Sequence, residues 1–131
     1  MLKKEVVRGP GGSVLLMDSI TKVAPADAGA IVVSASHGGA SSAEFALEVP
    51  LKAVFFNDAG MGKDNAGIAA LAMLQARQTA AGTVAHTSAR IGDAWDTWES
   101  GIISHVNEAA SKLGLSPGQP LCATLKRLVN A

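Results

Sequence analysis

The sequence has no tyrosine, few aromatic residues of any kind and one cysteine, and each shortage limits what the chain can be. Aromatic residues make up 4% of the 131 positions, so the core has to be built from alanine, valine, isoleucine and leucine. A single cysteine excludes an intrachain disulfide and a cysteine-rich zinc cluster. Cys122 lies in an apolar C-terminal segment, where it is interpreted as a small core residue.

An excess of charge of either sign is missing as well. Eleven basic and eleven acidic residues cancel, and no basic stripe is visible, so we expect no nucleic-acid partner. No stretch approaches the ~18 apolar residues of a membrane span, so we expect no membrane association. The charged N-terminus lacks the apolar run of a signal peptide, and the expected location is therefore cytoplasmic.

Length and composition predict one folded domain over residues 1–131. Hydrophobic residues make up 48% of the chain and charged residues 17%, a composition typical of proteins that fold. A chain of this length suits a single core. Residues 1–12 end in a Gly-Pro-Gly-Gly turn and are predicted to form an arm or an edge strand.

Four short apolar runs predict strands that are buried on both faces. They cover residues 13–17, 30–34, 53–56 and 82–85. Helical spacing and capping residues predict a short helical turn and four helices, at residues 20–24, 43–48, 66–77, 95–113 and 121–129. Strands that alternate with helices form parallel sheets through right-handed crossovers. The predicted fold is therefore α/β, a three-layer domain with a short, mostly parallel sheet of about four strands and flanking helices.

The helix predicted over residues 66–77 is apolar nearly all round. A helix of this kind is buried on more than one side. In so small a protein the second covering layer is predicted to be another subunit, so the sequence predicts a homo-oligomer that associates through apolar helices.

Polar residues follow the predicted strands at the points where the strands end. His37, Asp58 and His86 each come shortly after an apolar run, and Asp18 and Asn57 occupy similar places. Because the carboxyl ends of parallel strands meet at one edge of a sheet, we expect these side chains to converge there. This inference depends on the logic of the fold and not on a sequence motif.

The loop over residues 57–64 resembles a nucleotide-binding loop only superficially. Asn57 stands where the phosphate-loop pattern needs its first glycine, and Asp64 stands where that pattern needs the Mg²⁺-binding Ser or Thr. The dinucleotide pattern fails at Asn65, which occupies the place of its last glycine. We therefore predict no nucleotide cofactor. No histidine pair has the short spacing of metal ligands, and no metal is predicted.

His37, Asp58 and His86 are predicted to be the catalytic residues. Histidine titrates near neutral pH, and a desolvated carboxylate can exchange protons with a substrate. The alternative interpretations are a hydrogen-bonded loop histidine and a capping aspartate, which are common roles at such positions.

Further residues near the same strand ends are predicted to bind an anionic substrate through glycine amides, positive charge and polar side chains. They are Gly38, Gly39, Asn57, Gly60, Lys63, Ser88 and Arg90. The glycines alternatively only permit tight turns, and Arg90 alternatively pairs with Asp93 or Asp96, which the spacing allows.

The functional prediction is an enzyme that performs acid–base chemistry on a small, polar and anionic metabolite. Hydrolysis, elimination and isomerisation all fit histidines and a carboxylate at the edge of a sheet. The alternative is a non-catalytic module that senses a ligand, or an oligomeric assembly module, using the same loops. The partner expected in either case is a small molecule.

Overall fold

The fold is α/β, with one six-stranded sheet and five α-helices. The computed structural model describes residues 1–131. The strands are β1 (Lys3–Gly9), β2 (Gly12–Met17), β3 (Ile31–His37), β4 (Ala53–Asn57), β5 (Ala80–Val84) and β6 (Ile103–Val106). The helices are α1 (Ala40–Leu47), α2 (Ala69–Gln75), α3 (Ala94–Ser100), α4 (Glu108–Lys112) and α5 (Leu121–Val129). Short 3₁₀ helices cover Ile20–Lys22, Pro25–Asp27 and Lys63–Ile68. None of the helices has the length and apolar character that a membrane span requires.

The sheet is mixed, and its strands lie side by side in chain order, β1-β2-β3-β4-β5-β6. The four central strands are parallel, whereas β1 and β6 pair antiparallel with their neighbours at the two edges. The α/β class predicted from sequence is confirmed, but the prediction of about four mostly parallel strands is wrong. Of the two alternatives for the N-terminus, the structure shows the edge strand. Its charged residues Lys3, Lys4, Glu5 and Arg8 are exposed, so it lacks a continuous apolar run.

Strand β4 shows why the apolar runs form strands with two buried faces. Successive side chains of a strand point to opposite faces of the sheet. Phe55 accordingly joins the core cluster on one face and Phe56 joins the cluster on the other, and both are fully buried. Burying a phenylalanine side chain contributes roughly 1.5–3 kcal/mol, so these two residues anchor both core layers.

The two core layers lie between the central sheet and helices on either side. Helices α1 and α2 cover one face, where Ala43, Ala46 and Leu74 pack against the strands. Helices α3 and α5 cover the opposite face, where Trp98 and Leu125 do the same. The chain therefore changes face between β5 and α3, and this change shapes the carboxyl edge of the sheet.

The helix predicted over residues 95–113 is wrong. The segment instead contains α3, strand β6 and α4. The chain leaves α3 at Gly101, where an added Cβ would clash with the carbonyl oxygen of Thr97 and lie 2.9 Å from a methyl group of Val84. Residues 103–106 then pair with β5, and Ile102 before them is exposed. The helical spacing of apolar residues across this segment was coincidental.

The helix predicted over residues 66–77 is shorter in the structure. A 3₁₀ helix covers Lys63–Ile68, and α2 covers Ala69–Gln75. One face of α2 packs on the sheet through Leu71 and Leu74, and the opposite face exposes Ala72. Association through apolar helices therefore stays a prediction.

Candidate functional site

The carboxyl ends of β3, β4 and β5 lie next to one another, and the chain departs from them in different directions. His37 of β3 pairs in register with Asn57 of β4, which pairs with Val84 of β5. The chain leaves β4 toward α2 on one face of the sheet and leaves β5 toward α3 on the other. In open α/β sheets, diverging connections of this kind open a crevice in which ligands commonly bind.

Asn57 ends β4 and is fully buried. Its side-chain Nδ2 donates a hydrogen bond to the Ala89 carbonyl oxygen at 3.0 Å, and its Oδ1 accepts one from the Ala59 amide at 2.8 Å. Both ends of the amide group are therefore used inside the protein. Asn57 holds the loops after β4 and β5 together, and its contact with a substrate stays a prediction.

The carboxylate of Asp58 gathers three hydrogen bonds on one oxygen and is 5% exposed. Its Oδ1 accepts from the Gly60 amide at 2.9 Å and from the His86 amide at 3.0 Å. The ring Nδ1 of His86 lies 3.2 Å from the same oxygen. The structure thus brings two of the three predicted catalytic residues into direct contact, and they form an Asp58–His86 dyad.

The pKa of Asp58 is below its ordinary value because two opposing effects do not cancel. Burial raises the pKa of this carboxyl group, but the hydrogen bonds that favour the charged form outweigh it. The Gly60 amide and the amide and ring of His86 donate these hydrogen bonds, and the hydroxyl of Ser104 also favours the charged form. Asp58 is therefore a carboxylate at neutral pH.

Asp58 fixes which ring nitrogen of His86 carries the proton. A carboxylate only accepts hydrogen bonds, so the Nδ1 of His86 has to be the donor and the Nε2 of a neutral ring keeps its lone pair. The His86 side chain is 55% exposed. Gly60 lies close to the ring, which would be 3.5–3.6 Å from an added Cβ, and its backbone has φ +72°. The dyad thus presents a basic nitrogen to the solvent side of the protein.

A cleft of about 550 Å³ lies beside the dyad. Its lining residues are Asn57, Ala59, His86, Ala89, Arg90 and Ile91. The backbone amide of Arg90 donates to Asp96 Oδ2 at 2.8 Å, but the Arg90 guanidinium forms no ion pair with any carboxylate. The cleft therefore combines the exposed ring of His86 with a free guanidinium that can bind an anion in two-point geometry.

His37 lies in a different cavity, on the α1 and α2 side of the carboxyl edge. This cavity has a volume of about 490 Å³ and shares only Ala59 with the cleft beside the dyad. The His37 ring accepts a hydrogen bond at Nδ1 from the Gly39 amide at 3.1 Å. The structure therefore places His37 near the dyad along the sheet edge but gives it no hydrogen bond to Asp58 or His86.

The glycine amides predicted to hold an anion all donate within the protein. The Gly38 amide donates to the Asn57 carbonyl oxygen at 2.9 Å, the Gly39 amide to His37, and the Gly60 amide to Asp58. A backbone amide has one proton to donate. An anion hole built from these three groups is therefore not available in this structure.

Ser88 and Lys63, also predicted to bind substrate, lie differently. The Ser88 hydroxyl donates to the Ala85 carbonyl oxygen at 2.7 Å and accepts from the Ile102 amide at 3.0 Å, so it ties the loop after β5 to β6. Lys63 is exposed and makes no hydrogen bond or ion pair. Neither residue lines the cleft beside the dyad.

Sequence reasoning missed the polar cluster that β6 brings to the site. The Ser104 hydroxyl lies 2.9 Å from Thr83 Oγ1 and 3.2 Å from His105 Nδ1. Thr83 is fully buried. The polar residues of the 102–106 segment were a possible signal, but the helical assignment placed them away from the sheet.

The segment after Asp58 also has an unusual backbone that the sequence did not reveal. Positive φ angles occur at Ala59, Gly60, Met61, Gly62, Asp64 and Asn65. Residues other than glycine rarely adopt a positive φ, and each such residue costs of order 1 kcal/mol or more. Such backbone strain is concentrated at functional sites more often than elsewhere.

Comparison with known proteins adds nothing to this picture, because no protein-family model, curated protein or solved structure matches the chain. The structure contains no group of three or more His, Cys, Asp or Glu side chains placed to hold a metal ion. Only the geometry of its own side chains indicates what the site does.

Proposed function

We propose that the protein is an enzyme that uses His86 as a general acid–base on a small anionic substrate. The observation that carries the proposal is the Asp58–His86 dyad, joined at 3.2 Å, beside a cleft that contains the free guanidinium of Arg90. In the proposed reaction, Nε2 of His86 removes a proton from the substrate or from a water molecule and later returns it. Hydrolysis, elimination and isomerisation all use such a step.

Asp58 acts on His86 and not on the substrate. Its lowered pKa keeps it ionised, so it can orient the ring of His86 and stabilise the imidazolium that forms when Nε2 takes a proton. We therefore assign Asp58 a positioning role, whereas the sequence predicted that it moves protons itself.

Arg90 and the apolar lining define the substrate class. The guanidinium suits a carboxylate or phosphate group. Ala59, Ala89 and Ile91 surround the remaining space, and they favour a short aliphatic portion over a sugar or a peptide. A small carboxylic acid or phosphate ester with a short carbon chain meets both conditions.

The decisive experiment measures two quantities in the same variants: the tautomer of the His86 ring and the turnover of candidate substrates. Long-range ¹H–¹⁵N NMR should show the proton on Nδ1 in the wild type. In Asp58→Asn the amide oxygen can take the place of Oδ1 and accept from the Gly60 and His86 amides, so the tautomer should persist while the negative charge that stabilises the imidazolium is lost. Incubation in D₂O with small 2-oxo acids, and with ester and phosphate-ester panels, should reveal deuterium exchange or hydrolysis that Asp58→Asn slows by about 10²–10⁴-fold.

Asp18→Asn is the matched control, because Asp18 also follows a parallel strand but contacts no histidine. It should leave the His86 tautomer and the turnover unchanged. An enzyme whose turnover of an identified substrate survives both Asp58→Asn and His86→Gln would rule the proposal out.

Ligand binding without chemistry is the second candidate function. The observation that favours it is that no Ser, Thr or Cys lines the cleft. A covalent intermediate on a hydroxyl or thiol nucleophile is therefore excluded there. In this case a bound anion is recovered unaltered, and His86→Gln weakens binding far less than Arg90→Gln. The predicted homo-oligomer belongs to this candidate, and sedimentation velocity tests it.

A further inference from the structure

The cavity that contains His37 lies across the sheet edge from the cleft beside the dyad. Most of its lining groups are small or apolar, among them Ala40, Ala59, Met61 and Ala69. Only the His37 ring and the Ser41 hydroxyl are polar side chains among the lining residues. No acidic side chain lines the cavity, so an electronegative group placed there meets no charge of its own sign.

The His37 ring is held as a hydrogen-bond donor toward its surroundings. The Gly39 amide donates to Nδ1 at 3.1 Å, so Nδ1 must carry a lone pair and the proton of the neutral ring is on Nε2. An added Cβ at Gly39 would lie 2.7 Å from the ring, so only glycine allows the ring to sit this close. His37 therefore has the opposite tautomer to His86.

Ser41 supplies a second free donor. Its side chain is exposed, and its hydroxyl forms no hydrogen bond within the protein. Ser41 is the second residue of α1 and lines the same cavity as His37. Two donors without internal acceptors thus face a cavity whose other walls are alkyl groups and backbone.

We propose that this cavity is a second subsite for an extended substrate, and that the substrate is a short linear dicarboxylic acid. One carboxylate binds to Arg90 beside the dyad, and the other accepts hydrogen bonds from His37 Nε2 and the Ser41 hydroxyl. The alkyl segment crosses Ala59, the one residue that lines both cavities. The first of these contacts rests on the proposed function, whereas the second does not.

Isothermal titration of the wild-type protein with butyrate and with succinate, glutarate, adipate, pimelate and suberate tests the proposal. Butyrate has a single carboxylate, which the charged guanidinium of Arg90 binds in preference to the donors of the other cavity, so it reports the Arg90 end. A dicarboxylate long enough to reach both ends gains the second contact as an intramolecular event. We expect affinity to rise with chain length, to pass through a maximum roughly 10–100-fold above that of butyrate, and then to fall.

Two variants show which side chains cause the higher affinity for dicarboxylates. His37→Ala and Ser41→Ala should each lower the affinity for the best dicarboxylate toward that for butyrate and leave butyrate binding unchanged. Ser41 is exposed, so its variant keeps the test valid if His37→Ala fails to fold. Glu44→Gln is the matched control, because Glu44 is an exposed residue of α1 outside the cavity, and it should have no effect.

The outcomes separate the two proposals. If no dicarboxylate binds more tightly than butyrate, or if the gain survives both His37→Ala and Ser41→Ala, the second subsite is wrong. If Arg90→Gln leaves butyrate binding unchanged, the anion site of the proposed function is wrong. In that case, shifts of the His37 ring resonances on adding the dicarboxylates, in the wild type and in Ser41→Ala, still decide whether the second cavity binds a carboxylate.

Discussion

Asp18 and Asp58 occupy equivalent places in the fold, and their surroundings differ. Each directly follows a parallel strand, β2 or β4, at the same edge of the sheet. Both carboxylate oxygens of Asp18 accept hydrogen bonds from backbone amides. Oδ2 accepts from the Leu2 amide at 2.8 Å, and Oδ1 accepts from the Ala94 amide at 3.0 Å. Asp58 accepts all three of its hydrogen bonds on one oxygen, and one of the donors is the ring of His86.

The difference shows that a carboxylate at the end of a parallel strand is not by itself a sign of function. The pKa of Asp18 is also lowered, because hydrogen bonds from the Leu2 and Ala94 amides, helped by the N-terminal charge, outweigh the effect of burial. Asp18 joins the N-terminal strand to the start of α3, which is a structural role. A titratable side chain as partner and a cleft beside it distinguish Asp58.

The largest expected effect is on the free energy of unfolding when either carboxylate is deleted. Asp58→Ala leaves three donors without their acceptor, so we expect a loss of about 3 kcal/mol. Asp18→Ala leaves two donors, and we expect a loss of about 2 kcal/mol. Urea denaturation monitored by tryptophan fluorescence measures both. An equal or larger loss for Asp18→Ala would show that the hydrogen bonds of Asp58 do not contribute more to the free energy of unfolding than those of Asp18.

The next effect is the dependence of stability on pH. Both aspartates have lower pKa values in the folded state than in the unfolded state, so their contribution is fully present above the unfolded pKa of about 4 and is lost as pH falls through the folded pKa values. We expect the wild type to lose stability in urea titrations as pH falls below about 4.

The variants divide that loss between the two sites. Asp18→Asn and Asp58→Asn should each flatten the acid limb, and the double variant should flatten it most. The two sites share no hydrogen-bond partner, so their effects on the slope should be additive. A double variant that keeps the wild-type slope would mean that other carboxylates control acid unfolding.

The smallest effect concerns the two connections that follow these aspartates. Ala59 has φ +52°, whereas in the connection after Asp18 only Gly29 has a positive φ angle. Ala59→Gly should therefore stabilise the protein by about 1 kcal/mol, because glycine adopts positive φ without strain. Ala26→Gly, within a 3₁₀ helix, should destabilise it by about 0.5–1 kcal/mol. Thermal unfolding of the two variants gives the comparison, and a loss of stability in Ala59→Gly would contradict it.

Much of the sheet could be predicted because a strand buried on both faces has a simple apolar pattern. The runs at residues 13–17, 30–34 and 53–56 lie in β2, β3 and β4. The edge strands could not be predicted in this way, since most residues of β1 are charged and the apolar spacing around β6 also fits a helix.

The site was predictable only as far as backbone topology determines it. Parallel strands bring His37, Asp58 and His86 to one edge whatever the loops do. Which side chains touch depends on the turn after Asn57 and on the face from which each loop leaves, and these are set by contacts between residues far apart in sequence. The bond between Asn57 and Ala89 is one of them. The amides of Gly38, Gly39 and Gly60 were predicted to bind an anion, but they donate hydrogen bonds within the protein instead.

The sequential order of the strands has a consequence for how the chain folds. Every strand pairs with the strand made just before it, so no strand has to be inserted between two earlier ones. The loops that must close are short for a parallel sheet, and their entropic cost is low. As the chain leaves the ribosome, each new strand meets an exposed edge on which to pair. The dyad is assembled only when β5 and His86 are in place, whereas the Asp18 carboxylate waits for Ala94, 76 residues further along.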